Sequence, residues 1–264
     1  MSRAHIIAFA NQKGGCGKTT SCQNVGWILS QKDYKVLCID VDGQAHLSVS
    51  YGIRCPESLE HNFTTLVDQW IVKNEVSQQE VKDAIIHMDS IDLLPATFRL
   101  DMLERELVAN TNREYVLADI IEQVQDDYDY ILLDCNSSPN LFTINALACA
   151  DELIIPCQAQ FLSLGGIDLI LSMVRQMKKR INPRLQVGGI LLTMYQANTN
   201  QSRITATEIR EKYGQMVYET MIPTSVKVPE SQKLGRSVCD WKQDNSVSHA
   251  YVEFVESEVF ENER

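Results

Sequence analysis

The nine residues Gln12-Lys13-Gly14-Gly15-Cys16-Gly17-Lys18-Thr19-Thr20 concentrate more chemistry than any other stretch of the chain. Their glycines let the backbone fold tightly and aim its N–H groups into one concave space. Such a cradle suits an anion with many oxygens, a triphosphate above all. Lys18 is spaced to reach the β- and γ-phosphates, the Thr19 hydroxyl to ligate Mg²⁺, and Thr20 to bond the α-phosphate. A second lysine, Lys13, opens the loop where the usual pattern G-x-x-x-x-G-K-[ST] has no lysine, and Gln12 stands at the first glycine position. Lys13 cannot easily curl onto phosphates held by its own loop, whereas across an interface between two copies it reaches those of the neighbour. The plainer alternative for Lys13 is an ordinary exposed loop lysine.

A phosphate cradle needs carboxylates to hold the metal and order water. Two apolar runs end in them: Val36-Leu37-Cys38-Ile39-Asp40-Val41-Asp42 and Tyr130-Ile131-Leu132-Leu133-Asp134. Asp134 closes its strand in the Walker B manner and is read as a metal residue, with Thr19 and Asp42 as further candidates. Asp42, on the loop after its strand, is placed to orient an attacking water, and Asp40 to stay at the strand end bonding neighbouring backbone. Isolated aspartates more often cap turns; beside the loop, the functional reading prevails for Asp42 and Asp134.

These residues need a frame. Short apolar runs predict strands at His5–Ala10, Val36–Asp40, Ile91–Leu94, Tyr130–Asp134, Glu152–Pro156, Val187–Thr193 and Val217–Met221. Several are continuous in Ile, Leu and Val, as in strands covered on both faces. Amphipathic stretches predict helices at Lys18–Gln31, Phe98–Val108, Glu114–Gln125, Leu141–Ala150, Leu164–Ile181 and Thr205–Tyr213, and residues 55–90 read as helices beside the sheet. The alternation implies an α/β fold: a doubly wound, mostly parallel sheet flanked by helices, with ligands at the carboxyl ends of the strands.

The bulk numbers fit one such unit. The chain has 264 residues, 44% hydrophobic and 22% charged, with a formal net charge of −11. That acidity opposes indiscriminate coating of nucleic acid but permits a local basic face. Eight cysteines occur singly, without a C-x-x-C pair, so the thiols read as reduced and the setting as cytoplasmic. No signal peptide precedes the first strand, and no apolar run approaches the roughly 20 residues that cross a bilayer. The stretch Ala250 to Arg264 carries five glutamates and makes a poor membrane anchor.

Lys13-Gly14-Gly15-Cys16-Gly17-Lys18-Thr19-Thr20 resembles the deviant Walker A loop of the ParA/MinD ATPases. The resemblance to ParA-type partition proteins extends over most of the chain, through Asn11-Gln12, Asp40-Val41-Asp42-Gly43-Gln44, Leu94-Pro95-Ala96, Thr143-Ile144-Asn145-Ala146-Leu147, Leu191-Leu192-Thr193-Met194, Ile222-Pro223 and Pro229-Glu230-Ser231. It implies one P-loop NTPase domain over residues 1–264, ending in a helix at about 245–262. It also implies ATP and Mg²⁺ as cofactors, slow hydrolysis to ADP and phosphate, and an ATP-bound homodimer in which Lys13 of each copy touches the other's nucleotide. Lys13, Lys18 and Asp42 are then catalytic, residues 13–20 bind nucleotide, and Pro223 borders the adenine. The family's partners are a ParB-like centromere-binding protein and DNA bound without sequence preference, which would associate the protein with the nucleoid.

The sequence departs from the family in three places. Gly43 stands for a proline, and Asn136-Ser137 follow Asp134-Cys135 where Pro-Pro is usual, so both switches are expected to be more flexible. Asn198 and Thr224 fall where the family often has DNA-touching arginines. Lys227, Arg203, Lys233 and Arg236 remain as DNA candidates, with ordinary surface charge as the alternative. The competing functions are an ATP-switched regulator that binds a protein instead of DNA, a MinD-like membrane positioner, and an iron–sulfur reductase using Cys135 and Cys149.

Overall fold

The computed structural model describes residues 3–160 and 163–260. Its sheet has eight strands among the described residues: β1 (His5–Phe9), β2 (Val36–Val41), β3 (Ile86–His87), β4 (Asp92–Leu94), β5 (Tyr130–Cys135), β6 (Glu152–Gln158), β7 (Gln186–Tyr195) and β8 (Val217–Pro223). They lie in the order β3-β4-β2-β5-β1-β6-β7-β8. All neighbours are parallel except β3 and β4, which pair antiparallel. The fold is the doubly wound α/β sheet that the sequence predicts.

The helices in chain order are α1 (Lys18–Ser30), α2 (His46–Ser50), α3 (Phe63–Lys73), α4 (Gln78–Ala84), α5 (Leu100–Leu107), α6 (Val116–Glu122), α7 (Leu141–Cys149), α8 (Leu164–Arg180), α9 (Asn200–Tyr213), α10 (Lys227–Lys233), α11 (Val238–Trp241) and α12 (Ser246–Phe254). A π-helical turn, Val255–Val259, prolongs α12. Of the helix expected over about 245–262, the last two residues lie outside the described residues, as do Glu261 and Glu263 of the acidic stretch. None of the described helices is long and apolar enough to cross a membrane.

Strand alternation builds the core. Ile6 and Ala8 of β1 join Leu37, Ile39, Phe63, Trp70 and Phe142 on one side of the sheet. Ile7 and Phe9 join Val36, Cys38, Tyr251 and Phe254 on the other. Burial on both faces explains why the central strands read as unbroken apolar runs.

Three expectations change. Residues 55–90 contain a 3₁₀ turn (Pro56–Ser58), α3 and α4, but also the two-residue strand β3, too short to leave a period in the sequence. Helix α9 begins at Asn200 instead of Thr205, because Thr199 caps it by accepting the Ser202 N–H and its polar first turn hides the helical period. Helices α2, α10 and α11, each of seven residues or fewer, were not foreseen.

Candidate functional site

The glycine loop joins the end of β1 to α1. Gly17 caps α1 with φ 89°, a left-handed conformation that costs an L-residue, and no side chain caps the first turn. The leading N–H groups and the positive end of the helix dipole therefore face open space, ready for an anion. The loop is braced from β6 and β7. The Thr193 hydroxyl donates to the Cys16 carbonyl at 2.7 Å, and Asn11 Nδ2 donates to the Pro156 carbonyl at 2.7 Å. Lys18 is buried, its Nζ donating to the Lys13 carbonyl at 3.3 Å. Lys13 turns away from the loop, and its Nζ donates to Ser163 Oγ at 3.0 Å.

Parallel pairing sets the carboxylates side by side. Asp40 of β2 and Asp134 of β5 are register partners, about one strand spacing apart. Their environments differ. Asp40 accepts from the Ser48 N–H at 2.8 Å, the Ser48 hydroxyl at 2.7 Å and the Asp42 N–H at 3.2 Å. Burial still pushes its carboxyl up to about 7. Asp134 is 1% exposed, and neither oxygen makes a well-directed hydrogen bond among the described residues. Burial, then the charge of Asp40, drives the Asp134 carboxyl well above the usual range, while Thr19 and Lys18 pull it back. Asp42 is buried on the loop after β2, with Oδ1 accepting the Gln44 N–H at 3.0 Å. The two Asp134 oxygens, with only the weakly directed Thr19 hydroxyl bond on them, form with that hydroxyl an oxygen donor set that fits a hard divalent cation such as Mg²⁺.

A cavity of about 510 Å³ collects residues 14–20, Asp42, Gln44, Asn136, Ser137, Gln232 and Lys233. Beside it, sharing Gly17, Thr20 and Met194, a more apolar slot of about 220 Å³ runs between Ile222, Pro223, Val228 and Tyr251. A polar chamber leading into an apolar slot matches a phosphate chain with a flat base at its end. A larger cavity of about 550 Å³ lies at the opposite end of the strands, lined by Lys35, His87 and Tyr128, far from the loop. There the Tyr128 hydroxyl and His87 Nδ1 are both engaged by the Asp92 carboxylate, at 2.6 and 2.8 Å.

The structure thus brings residues 14–20, Asp42 and Asp134 together, with Pro223 at the adjoining slot. The four DNA candidates have different surroundings. Lys227 pairs with Glu230 at 2.7 Å, and Arg236 with Asp240 at 2.6 Å. Arg203 bonds Asn200 on α9, a different helix, and Lys233 lines the loop cavity. The two departures in the switches have structural counterparts. A Cβ at Gly43 would overlap the Asp101 carboxylate of α5. Asn136 forms a side-chain turn, its Oδ1 accepting the Ser138 N–H at 3.0 Å, where prolines would stiffen the backbone. Cys135 and Cys149 are core thiols directed at the Leu133 and Asn145 carbonyls. Sequence reasoning missed Ser163 and Gln232, which carry no motif.

A family model described as AAA domain matches residues 4–187. The chain is 34% identical to the chromosome partitioning protein ParA of Caulobacter vibrioides, over 98% of this chain and 95% of that one. The chain belongs to the ParA/MinD family of P-loop ATPases. The sporulation initiation inhibitor protein Soj of Bacillus subtilis is likewise 34% identical, over 95% of this chain and 96% of its own. Among solved structures, the cobyrinic acid a,c-diamide synthase of Mycobacterium smegmatis with bound ADP and magnesium superposes with a TM-score of 0.82 at 27% identity, covering 99% of this chain and 97% of that one. One frame therefore serves proteins of different outcome, and the site residues must carry the functional argument.

Proposed function

We propose that this chain is an ATP-dependent dimerising switch of the ParA type, acting in the cytoplasm to drive plasmid or chromosome partition. The observation that carries this reading is the meeting of the loop's free N–H groups, Lys18 and Asp42 on one cavity beside the buried, unpartnered Asp134 carboxylate. Relatives named for chromosome partitioning and a structural neighbour holding ADP and magnesium support it.

In this reading residues 14–20 seat the phosphates, and Lys18 leaves the Lys13 carbonyl for the β- and γ-phosphates. Thr19, Asp134 and Asp42 hold Mg²⁺, which neutralises charge on the phosphates when bound. Pro223 borders the adenine. Asp42 orients water for hydrolysis to ADP and phosphate. Lys13 leaves Ser163 and reaches the partner copy's nucleotide, so the γ-phosphate decides whether two copies stay together. The ATP-bound dimer binds DNA without sequence preference, and a ParB-like centromere-binding protein stimulates turnover.

Calorimetry and sedimentation with Mg-ATP test this. Lys18→Ala should weaken ATP binding by at least about 100-fold, on the scale of a lost charge-assisted contact in a desolvated site. Lys13→Ala should bind ATP yet sediment as a monomer. Unchanged affinity in the first, or an ATP-dependent dimer in the second, refutes the assignment.

A second reading, an ATP-switched regulator that binds a protein partner, draws on a specific observation. Lys227 and Arg236 are held in ion pairs, on a chain of net charge −11. ATP-dependent retention on duplex DNA that declines with salt favours partition; ATP-dependent partner capture without DNA retention favours the regulator.

A further inference from the structure

Lys233 ends α10 at the exposed rim of the nucleotide cavity. It lines the same cavity of about 510 Å³ as residues 14–20. Lys18 and Lys233 are the lysines of that lining, while Lys13 is turned toward Ser163. The Lys233 ammonium has no hydrogen bond or ion pair among the described residues, in contrast to Lys227 and Arg236 on either side of it.

Two contacts hold it there. Its neighbour Gln232 donates from Nε2 to Thr20 Oγ1 at 3.2 Å, which pins α10 to the first turn of α1. Just beyond, Gly235 (φ 73°) lies so close to Gly52 that a Cβ would stand 2.8 Å from the Gly52 Cα. This approach presses the end of α10 onto the segment after α2. The backbone is thus fixed at both sides of Lys233, whose flexible cationic side chain lines the cavity with no internal partner among the described residues.

We propose that Lys233 is a nucleotide-binding residue in cis, whose ammonium meets the α- and β-phosphates beside Thr20. This rests on the nucleotide reading of the same cavity. Its neighbour Gln232 bonds Thr20, which sets Lys233 toward the sugar end of the phosphate chain, so that it serves ATP and ADP alike. It supplies a second cation within one chain before any partner copy contributes Lys13. Being exposed, it acts through a screened charge, and its contribution fades with salt.

The test measures Mg-ATP and Mg-ADP affinity by calorimetry for wild type, Lys233→Ala and Lys233→Arg. Buffers of about 50 mM and about 500 mM salt bracket the screening. Lys233→Ala should weaken both nucleotides about 5-fold at low salt, with the gap closing at high salt, and Lys233→Arg should bind as wild type. Equal affinities of wild type and Lys233→Ala at low salt overturn the inference. So does a variant that binds nucleotide normally but no longer holds duplex DNA when saturated with ATP, because Lys233 is then a DNA contact. A wild-type chain that takes up no nucleotide overturns the proposed function itself, a result distinguishable from both.

Discussion

Asp134→Asn should make the nucleotide-free protein more stable while removing its response to Mg-ATP. Asp134 is 1% exposed and lacks a well-directed hydrogen bond, and its register partner is a second carboxylate, Asp40. Both carboxyls are raised above their ordinary range, Asp40 to about 7. An acid raised in the fold holds its proton more tightly folded than unfolded. Unfolding then releases a proton, and stability falls as pH climbs from the unfolded value, about 3.9, through the folded one. Ionised at high pH, the buried pair therefore opposes folding. Asn keeps the shape and removes one charge, and a gain of about 2–3 kcal/mol at pH 8 follows. For a chain of this size that is roughly 5–10 °C in melting temperature. The gain should shrink as pH falls and the raised wild-type carboxyl takes up its proton. Adding Mg-ATP at about 100 times its dissociation constant should raise wild-type stability by about 2.7 kcal/mol and the variant's by much less. Melting followed by circular dichroism at several pH values, with and without Mg-ATP, reads both effects. A variant that melts below wild type at pH 8 without nucleotide, or gains as much from Mg-ATP, would refute the view that this carboxylate is kept for a cation.

Two further predictions concern residues without a sequence motif. Ser163→Ala removes the acceptor that holds Lys13 at 3.0 Å; the freed lysine should tighten the ATP-dependent dimer about 5-fold by sedimentation, and a looser dimer would mean that Ser163 aims Lys13 productively. Gly188→Ala places a methyl group against both the Glu152 carboxylate and the Tyr218 hydroxyl. Because Glu152 is buried and pairs with His5 at 3.2 Å, it has little room to move, and a loss of about 3 kcal/mol is expected in urea unfolding. A loss under about 0.5 kcal/mol, the range of ordinary surface changes, would show that the strand accommodates the methyl group.

Much of the molecule was legible in the sequence because its signals are local. The glycine loop is contiguous, so backbone freedom, lysine and hydroxyls can be read together at residues 12–20. Asp42 and Asp134 were legible because each follows an apolar strand, and parallel strands must deliver their carboxyl ends to one edge of the sheet. The family resemblance supplied the roles. Short elements were not legible: β3 has two residues and α10 has seven, too few for any period to stand out.

Tertiary structure alone decided which charges are free and which are engaged. The sequence offers Lys233 and Lys227 together as DNA candidates, yet one lines the cavity and the other pairs with Glu230. Nothing near Lys13 foretells Ser163, 150 residues away. The Asp40 and Asp134 strand ends read alike, but only Asp40 is satisfied, because α2 brings Ser48 back onto it. A motif records what neighbouring residues do to their own backbone. The partner of a side chain depends on where distant segments pack, and that is fixed only when the sheet and its helices close around one another.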